Sequence, residues 1–161
     1  MDKLLELLSE NAKLTAEQLA VMLNLTTQQV SEKIEQYEKD GIIIGYKTLI
    51  NWEKVDKSKA IALIGLRVTP KQDNGFDEIA GRIMQFDEVE SVYLMSGGYD
   101  LTVKVCGKSM QDIAAFVMRR LAPLDSVLST ATHFILTRYK DGGVILNKDK
   151  EQDERRSVLC D

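Results

Sequence analysis

Two Thr-x-x-Gln signatures stand only a few residues apart, Thr15 with Gln18 and Thr26 with Gln29. In such a pair the hydroxyl and the amide satisfy orphan backbone donors reciprocally, so each marks the start of a helix. The first of these helices must end before the second begins, which leaves only the stretch around Asn24 and Leu25 for the turn. Helices joined so tightly cross at a steep angle. The apolar positions agree: Leu4, Leu7 and Leu8 begin an earlier stripe, and Ala16, Leu19, Ala20 and Leu23 repeat at helical spacing. The third helix puts Val30, Ile34 and Tyr37 on one face and stops at Gly41, a residue suited to the left-handed position that closes a helix. Three helices with a tight turn before the third form a helix-turn-helix.

The remainder follows a different rhythm. Residues 41–51, GIIIGYKTLIN, are β-branched and aromatic between glycines and predict a strand or small wing; residues 52–59, WEKVDKSK, are charged and aperiodic and predict a linker. From Ala60 the pattern alternates between strands and helices. Strands are expected over Ala60–Thr69, Val89–Met95, Tyr99–Cys106 and Val127–Tyr139, with helices marked by Phe76, Ile79, Ala80 and Ile83 and by Met110, Ile113, Ala114, Val117 and Leu121. That order is β-α-β-β-α-β, the ferredoxin-like unit of a four-stranded antiparallel sheet with both helices on one face. Gly97 and Gly98 would supply the positive φ of the turn between the middle strands. The fold class is therefore α+β. A helix-turn-helix domain (1–50) is followed by a linker (51–59), a ferredoxin-like domain (60–140) and a charged tail (141–161). In the first strand Ala62, Ile64, Leu66 and Val68 point one way, yet Ile61 and Leu63 point the other. A second protomer's sheet is the simplest cover for that other face, so at least a homodimer is expected.

Several function classes drop out. The chain has 161 residues, 44% hydrophobic and 29% charged, an ordinary globular balance. No apolar run is long enough to cross a bilayer and the N-terminus carries acids where a signal peptide carries bases, so a cytoplasmic location is expected. Cys106 and Cys160 lie far apart and form no metal-ligand spacing. No phosphate loop or dinucleotide fingerprint is present, and no cofactor or metal is expected. His133, the only histidine, has no nucleophile or carboxylate cluster around it in sequence and is expected to be structural. Trp52 is expected as a packing anchor, and Arg119 and Arg120 suit the negative end of their helix.

The exposed half of the third helix offers Thr27, Gln28, Gln29, Ser31, Glu32 and Lys33 as candidate DNA contacts. Glutamine can bond both atoms of an adenine edge, and serine, threonine and lysine can reach bases or phosphates. Charge argues the other way. Residues 1–50 carry five lysines, no arginine and eight acids, net −3, within a chain of net −4, whereas neutralising phosphates supplies most non-specific affinity. A helix-turn-helix used as a protein-contact module is the competing expectation. In the second domain Asp100 either caps the glycine turn or pairs with a ligand ammonium while turn N–H groups receive its carboxylate. Thr130 and Thr132 flank Ala131, so both hydroxyls point to one side of their strand.

Over about residues 1–140 the chain resembles the Lrp/AsnC (feast/famine) family of transcription regulators. The stretch LNLTTQQVSEKIEQYEKDGIIIGYKTLIN is similar to that family's recognition helix and exit strand, with Leu25, Val30, Ile34, Gly41, Ile42, Gly45 and Tyr46 in place. SGGYDL at Ser96–Leu101 resembles its Gly-x-Tyr-Asp hairpin, and VLSTATHFILTRYK resembles its last strand. The resemblance implies a DNA-binding regulator, dimeric and commonly octameric, whose effector is an amino acid. It implies an effector site at Ser96, Gly97, Gly98, Tyr99 and Asp100 with Thr130 and Thr132, no catalytic residues, and double-stranded DNA as partner. Lys33 stands where the family usually has arginine. Proteins resembling this family also include decarboxylases of haem biosynthesis, an alternative that a lone histidine supports weakly.

Overall fold

In the computed structural model, residues 2–56, 58–70 and 75–146 are described, and they divide into two compact units between Leu49 and Ile50. The last fifteen residues, with Cys160, lie outside the described residues.

The first unit holds α1 (Lys3–Glu10), α2 (Ala16–Leu23) and α3 (Thr27–Lys39). Both capping boxes form: Thr15 accepts from the Gln18 N–H at 3.3 Å and Thr26 from the Gln29 N–H at 3.2 Å, while each glutamine Oε1 accepts from its own cap N–H at 2.9 Å. Between them Asn24 takes the left-handed conformation, φ 55° and ψ 46°, which reverses the chain in very few residues. A short polar side chain tolerates that region and a β-branched one does not. Asn24→Val is therefore expected to lower the unfolding free energy of this unit by about 1–2 kcal/mol, whereas Asn24→Gly should be neutral or better; urea titration of the two variants checks it. The helices close on Leu4, Leu8, Leu19, Ala20 and Val30.

Gly41 sits at φ 69° and closes α3 as expected. The strand expected over residues 41–51 does not form a ladder: after the turn at Gly41 the segment runs without strand partners to a 3-10 turn at Trp52–Lys54. β-branched composition favours extended backbone, but a strand needs a second strand to bond to. Of its apolar side chains Ile44 is almost fully exposed.

The second unit is the β-α-β-β-α-β unit. It comprises β1 (Ala60–Val68), α4 (Asp77–Ile83), β2 (Val89–Leu94), β3 (Leu101–Gly107), α5 (Met110–Phe116) and β4 (Val127–Phe134). All pairings are antiparallel in the order β2-β3-β1-β4. Alternation along β1 sends Ala62, Ile64, Leu66 and Val68 into a core with Ile79, Ile83, Val103, Val105, Ile113, Phe116 and Leu121. The second helix finishes as a π turn at Val117–Leu121, which keeps Leu121 buried. On the uncovered face Ile61 is buried while Leu63 and Tyr93 are exposed. The last strand of the sheet is shorter than its composition predicts, ending at Phe134. Beyond it lies a hairpin of two-residue strands, β5 (Lys140–Asp141) paired with β6 (Val144–Ile145). Its turn residues Gly142 and Gly143 have φ of 51° and 82°, the geometry that adjacent glycines favour in tight hairpins. The stretch expected as a charged tail thus begins with this hairpin, and the Leu146 N–H donates to the Tyr139 carbonyl at 2.9 Å.

Candidate functional site

The β2–β3 connection, Met95–Asp100, is the hairpin that the sequence singles out. Its ends are closed by the Met95 N–H donating to the Asp100 carbonyl at 2.8 Å. The expected positive φ is absent at both Gly97 and Gly98. With four residues between its closing pair this loop is too long to need a two-residue turn, and that chemistry falls instead at Gly142–Gly143. A Cβ at Gly97 or Gly98 would meet nothing within 4 Å, so these glycines leave open space and exposed backbone rather than a strained turn.

Three contacts fix the loop to β1. Asp100 Oδ2 accepts from the Val68 N–H at 2.9 Å, at the register shift where β1 departs from β4. The Asp100 N–H donates to the Leu66 carbonyl at 2.9 Å. Arg67 Nε donates to the Gly98 carbonyl at 3.1 Å. The Tyr99 ring covers Gly65: a Cβ there would stand 2.5 Å from the ring, so only glycine admits the aromatic at this point of the strand. His133 meets the same ring edge-on, centroids 6.3 Å apart, and is exposed. Ser96, Gly97 and Gly98 face solvent, and Tyr99 and Asp100 are half-buried. The loop is thus a held framework with an open tip. Asp100 ties down a strand N–H through Oδ2.

Thr130 and Thr132 do not join this cluster within one chain. They pair across β1 with Leu66 and Ile64 and so lie on the helix side of the sheet, opposite the face on which Tyr99 covers Gly65. Gly65 and Arg67 are the residues that sequence reasoning missed. Their signal was the alternation itself, because positions 61, 63, 65 and 67 form the face left without helices.

A cavity of about 840 Å³ lies at the other end of β3, where Cys106, Gly107 and Lys108 meet Trp52, Phe116 and Arg119. There Lys59 Nζ sits 3.8 Å from the centre of the Trp52 ring. Arg120 is bound to Glu88 at 3.1 Å. Burial, helped by a hydrogen bond with Glu90, pushes the Cys106 thiol up to about 11, so it is an unreactive thiol at neutral pH.

In the first unit Thr27, Gln28, Gln29, Glu32 and Lys33 are exposed and Ser31 is half-buried. Gln29 already spends its carbonyl on the Thr26 cap, and Gln28 Nε2 donates to Glu32 Oε1 at 2.9 Å. Lys33 Nζ is 3.1 Å from Asp2 Oδ2, the same oxygen that accepts from the Tyr37 hydroxyl. The tyrosine bond first, then the Leu4 N–H and Lys33, hold the Asp2 carboxyl down at about 2. Its folded value lies below the ordinary one, so this contribution to stability is present at neutral pH and is lost as pH falls through about 2.

A helix-turn-helix joined to a ferredoxin-like sheet domain with an open glycine hairpin defines a class: transcription regulators that couple a DNA reader to a ligand-binding domain. Residues 61–145 match the Lrp/AsnC ligand binding domain, and residues 3–44 match a winged helix-turn-helix DNA-binding domain. The chain belongs to the Lrp/AsnC family of helix-turn-helix transcription regulators, and it is a regulator rather than an enzyme. It is 46% identical to the uncharacterised HTH-type regulator YugG of Bacillus subtilis, across 98% of this chain and 94% of that one. The leucine-responsive regulatory protein of Haemophilus influenzae is 24% identical over 91% of this chain and 87% of its own. Among solved structures, a Neisseria meningitidis transcriptional regulator in complex with L-Met superposes with a TM-score of 0.73 at 24% identity, covering 91% of this chain and 97% of that one. Among the described residues no helix is long and apolar enough to cross a membrane.

Proposed function

We propose that the chain is an amino-acid-responsive regulator that acts as a homo-oligomer, binding double-stranded DNA through α3 and a small amino acid at Ser96–Asp100. The observation that carries the effector reading is the held loop: Asp100 and Arg67 fasten its backbone to β1, Tyr99 seats on Gly65, and Gly97–Gly98 leave the tip open. Exposed turn N–H groups suit a carboxylate and the Asp100 carboxylate suits an ammonium. The Neisseria regulator's L-Met supports an amino acid as the ligand class. The uncovered sheet face with Leu63 and Tyr93 supports a second copy as its cover, completing a site that one chain leaves open. A ligand that binds one assembly better than another shifts the population, which is all that a regulatory response requires.

On the DNA side Thr27, Gln28, Ser31, Glu32 and Lys33 are presented at the front half of α3, with Gln29 contributing its free amide N–H groups. The net charge of −3 and the self-paired Gln28 and Lys33 favour a second reading, in which α3 contacts protein instead.

Calorimetric titration with single amino acids tests the site. Asp100→Asn keeps an oxygen for the Val68 N–H but loses the charge, so effector affinity should fall at least ten-fold with melting temperature little changed. Asp100→Ala should also cost about 1–3 kcal/mol of stability, since the Val68 N–H loses its partner. Wild-type affinity in Asp100→Asn would make Asp100 purely structural.

A further inference from the structure

The front of α3 is paired with carboxylates of its own unit. Asp2 is the N-cap of α1, where its Oδ1 accepts from the Leu4 N–H at 2.9 Å, so its position is set by helix geometry rather than by a wandering side chain. From there Oδ2 takes both the Lys33 ammonium and the Tyr37 hydroxyl. Lys33 is the one cation among the six candidate contact residues, and the other lysine of α3, Lys39, stands at its far end. An ammonium held 3.1 Å from a carboxylate that three donors keep ionised is an ammonium already facing a phosphate-like anion. The pair remains half open to water, with side chains 50% and 31% exposed, so it can exchange for an outside anion. Gln28 is treated alike by Glu32.

We infer that Asp2 is a specificity-determining residue of the DNA reader: it occupies Lys33 in place of a DNA phosphate and thereby lowers binding to unrelated sequence. This rests on α3 binding DNA as proposed. Non-specific affinity comes from phosphate neutralisation with a salt slope of about 0.9 per phosphate contact. A lysine that must leave a fixed carboxylate contributes little of that affinity to DNA that offers phosphates alone. A cognate site, which adds base contacts, depends less on that ammonium. In a unit of net −3 this shifts the balance from general attraction toward sequence.

The test is full-length protein titrated with its own upstream DNA and with a scrambled duplex between about 50 and about 200 mM salt. Asp2→Asn and Asp2→Ser keep a capping oxygen for Leu4 while removing the charge. With either, the salt slope on scrambled DNA should steepen by about one unit and affinity at the lower salt should rise several-fold. The ratio of cognate to scrambled affinity should fall. In a Lys33→Ala background the same Asp2 substitutions should change the slope by much less, because there is no ammonium left to release. An unchanged slope in both Asp2 variants overturns the inference. So does an equal gain with and without Lys33, which would reduce Asp2 to one negative charge among eight. If the wild type and both Asp2 variants fail to bind either duplex even at the lower salt, the DNA reading itself falls and this inference with it. Cognate binding with inert Asp2 variants removes only the inference.

Discussion

Gly65→Ala is expected to abolish the response to amino acids while leaving the sheet intact. At Gly65 the backbone is ordinary strand, paired with Thr102 on one side and Ala131 on the other, so alanine suits the conformation better than glycine does. The objection is steric. The new Cβ would lie 2.5–2.8 Å from three ring carbons of Tyr99, at the near edge of the ring, where no small shift relieves the contact. The ring must leave the sheet face, and the loop loses one of its fixings while Asp100–Val68 and Arg67–Gly98 remain. Lost aromatic packing of about 1–3 kcal/mol, partly offset by the better strand residue, leaves the domain folded. A binding site, by contrast, fails when its atoms move by an ångström. Effector affinity measured by calorimetry should drop by two orders of magnitude or more. Tyr99→Ala should produce the same loss, and adding Gly65→Ala to it should change nothing further, the non-additivity of two residues sharing one contact. Independent, additive losses would mean that Gly65 acts through the sheet rather than through Tyr99.

Leu19→Ala should unfold the reader and spare the sensor. Leu19 is fully buried on α2, in a cluster whose buried members among the described residues are Leu4, Leu8, Leu19, Ala20 and Val30. Truncating a leucine in such a place costs about 2–5 kcal/mol through lost transfer energy and the cavity left behind. A three-helix unit of this size holds a total of only about 3–5 kcal/mol, so one truncation consumes it. The sheet domain closes on its own larger core, centred on Ile64, Leu66, Val103 and Val105. Differential scanning calorimetry of Leu19→Ala should therefore show the sheet transition in place and the reader transition gone, with DNA binding lost and amino-acid binding kept. A single transition moving as a whole would show that the two units unfold together.

The features legible in the sequence are those that depend on local chemistry or strict period. The paired Thr-x-x-Gln boxes set the helix starts of the reader, since hydroxyl and amide at that spacing have one efficient use. Alternation along Ala60–Val68 sets the face of β1 that meets the helices. The features that escape it depend on partners distant in sequence. The β-branched run after Gly41 looks like a strand because composition reports the conformation a segment favours and not whether another strand is available. The same limit explains the last strand, whose composition continues to Tyr139 while its ladder stops at Phe134. Two glycine pairs compete for the tight-turn role, and only Gly142–Gly143 takes it, because only there do two residues separate the strands. In the site, Ser96–Asp100 is visible as a motif. The roles of Gly65 and Arg67 are not, because they arise from β1 lying beneath the loop across more than thirty residues of chain. Asp2 looks in the sequence like one more acid, and its capping and pairing role needs the packing of α1 on α3.

Reader and sensor are proposed to act as one switch. The measurement that tests it most directly is binding of the purified full-length protein to its own upstream DNA, at low and at physiological salt, with and without a pool of amino acids. Saturable, sequence-dependent binding is expected, which an amino acid shifts in wild type and fails to shift in Gly65→Ala. No binding at low salt, with an amino acid still changing the size of the assembly, would contradict it. Such a result would make the acidic helix-turn-helix a protein-contact module attached to a working sensor.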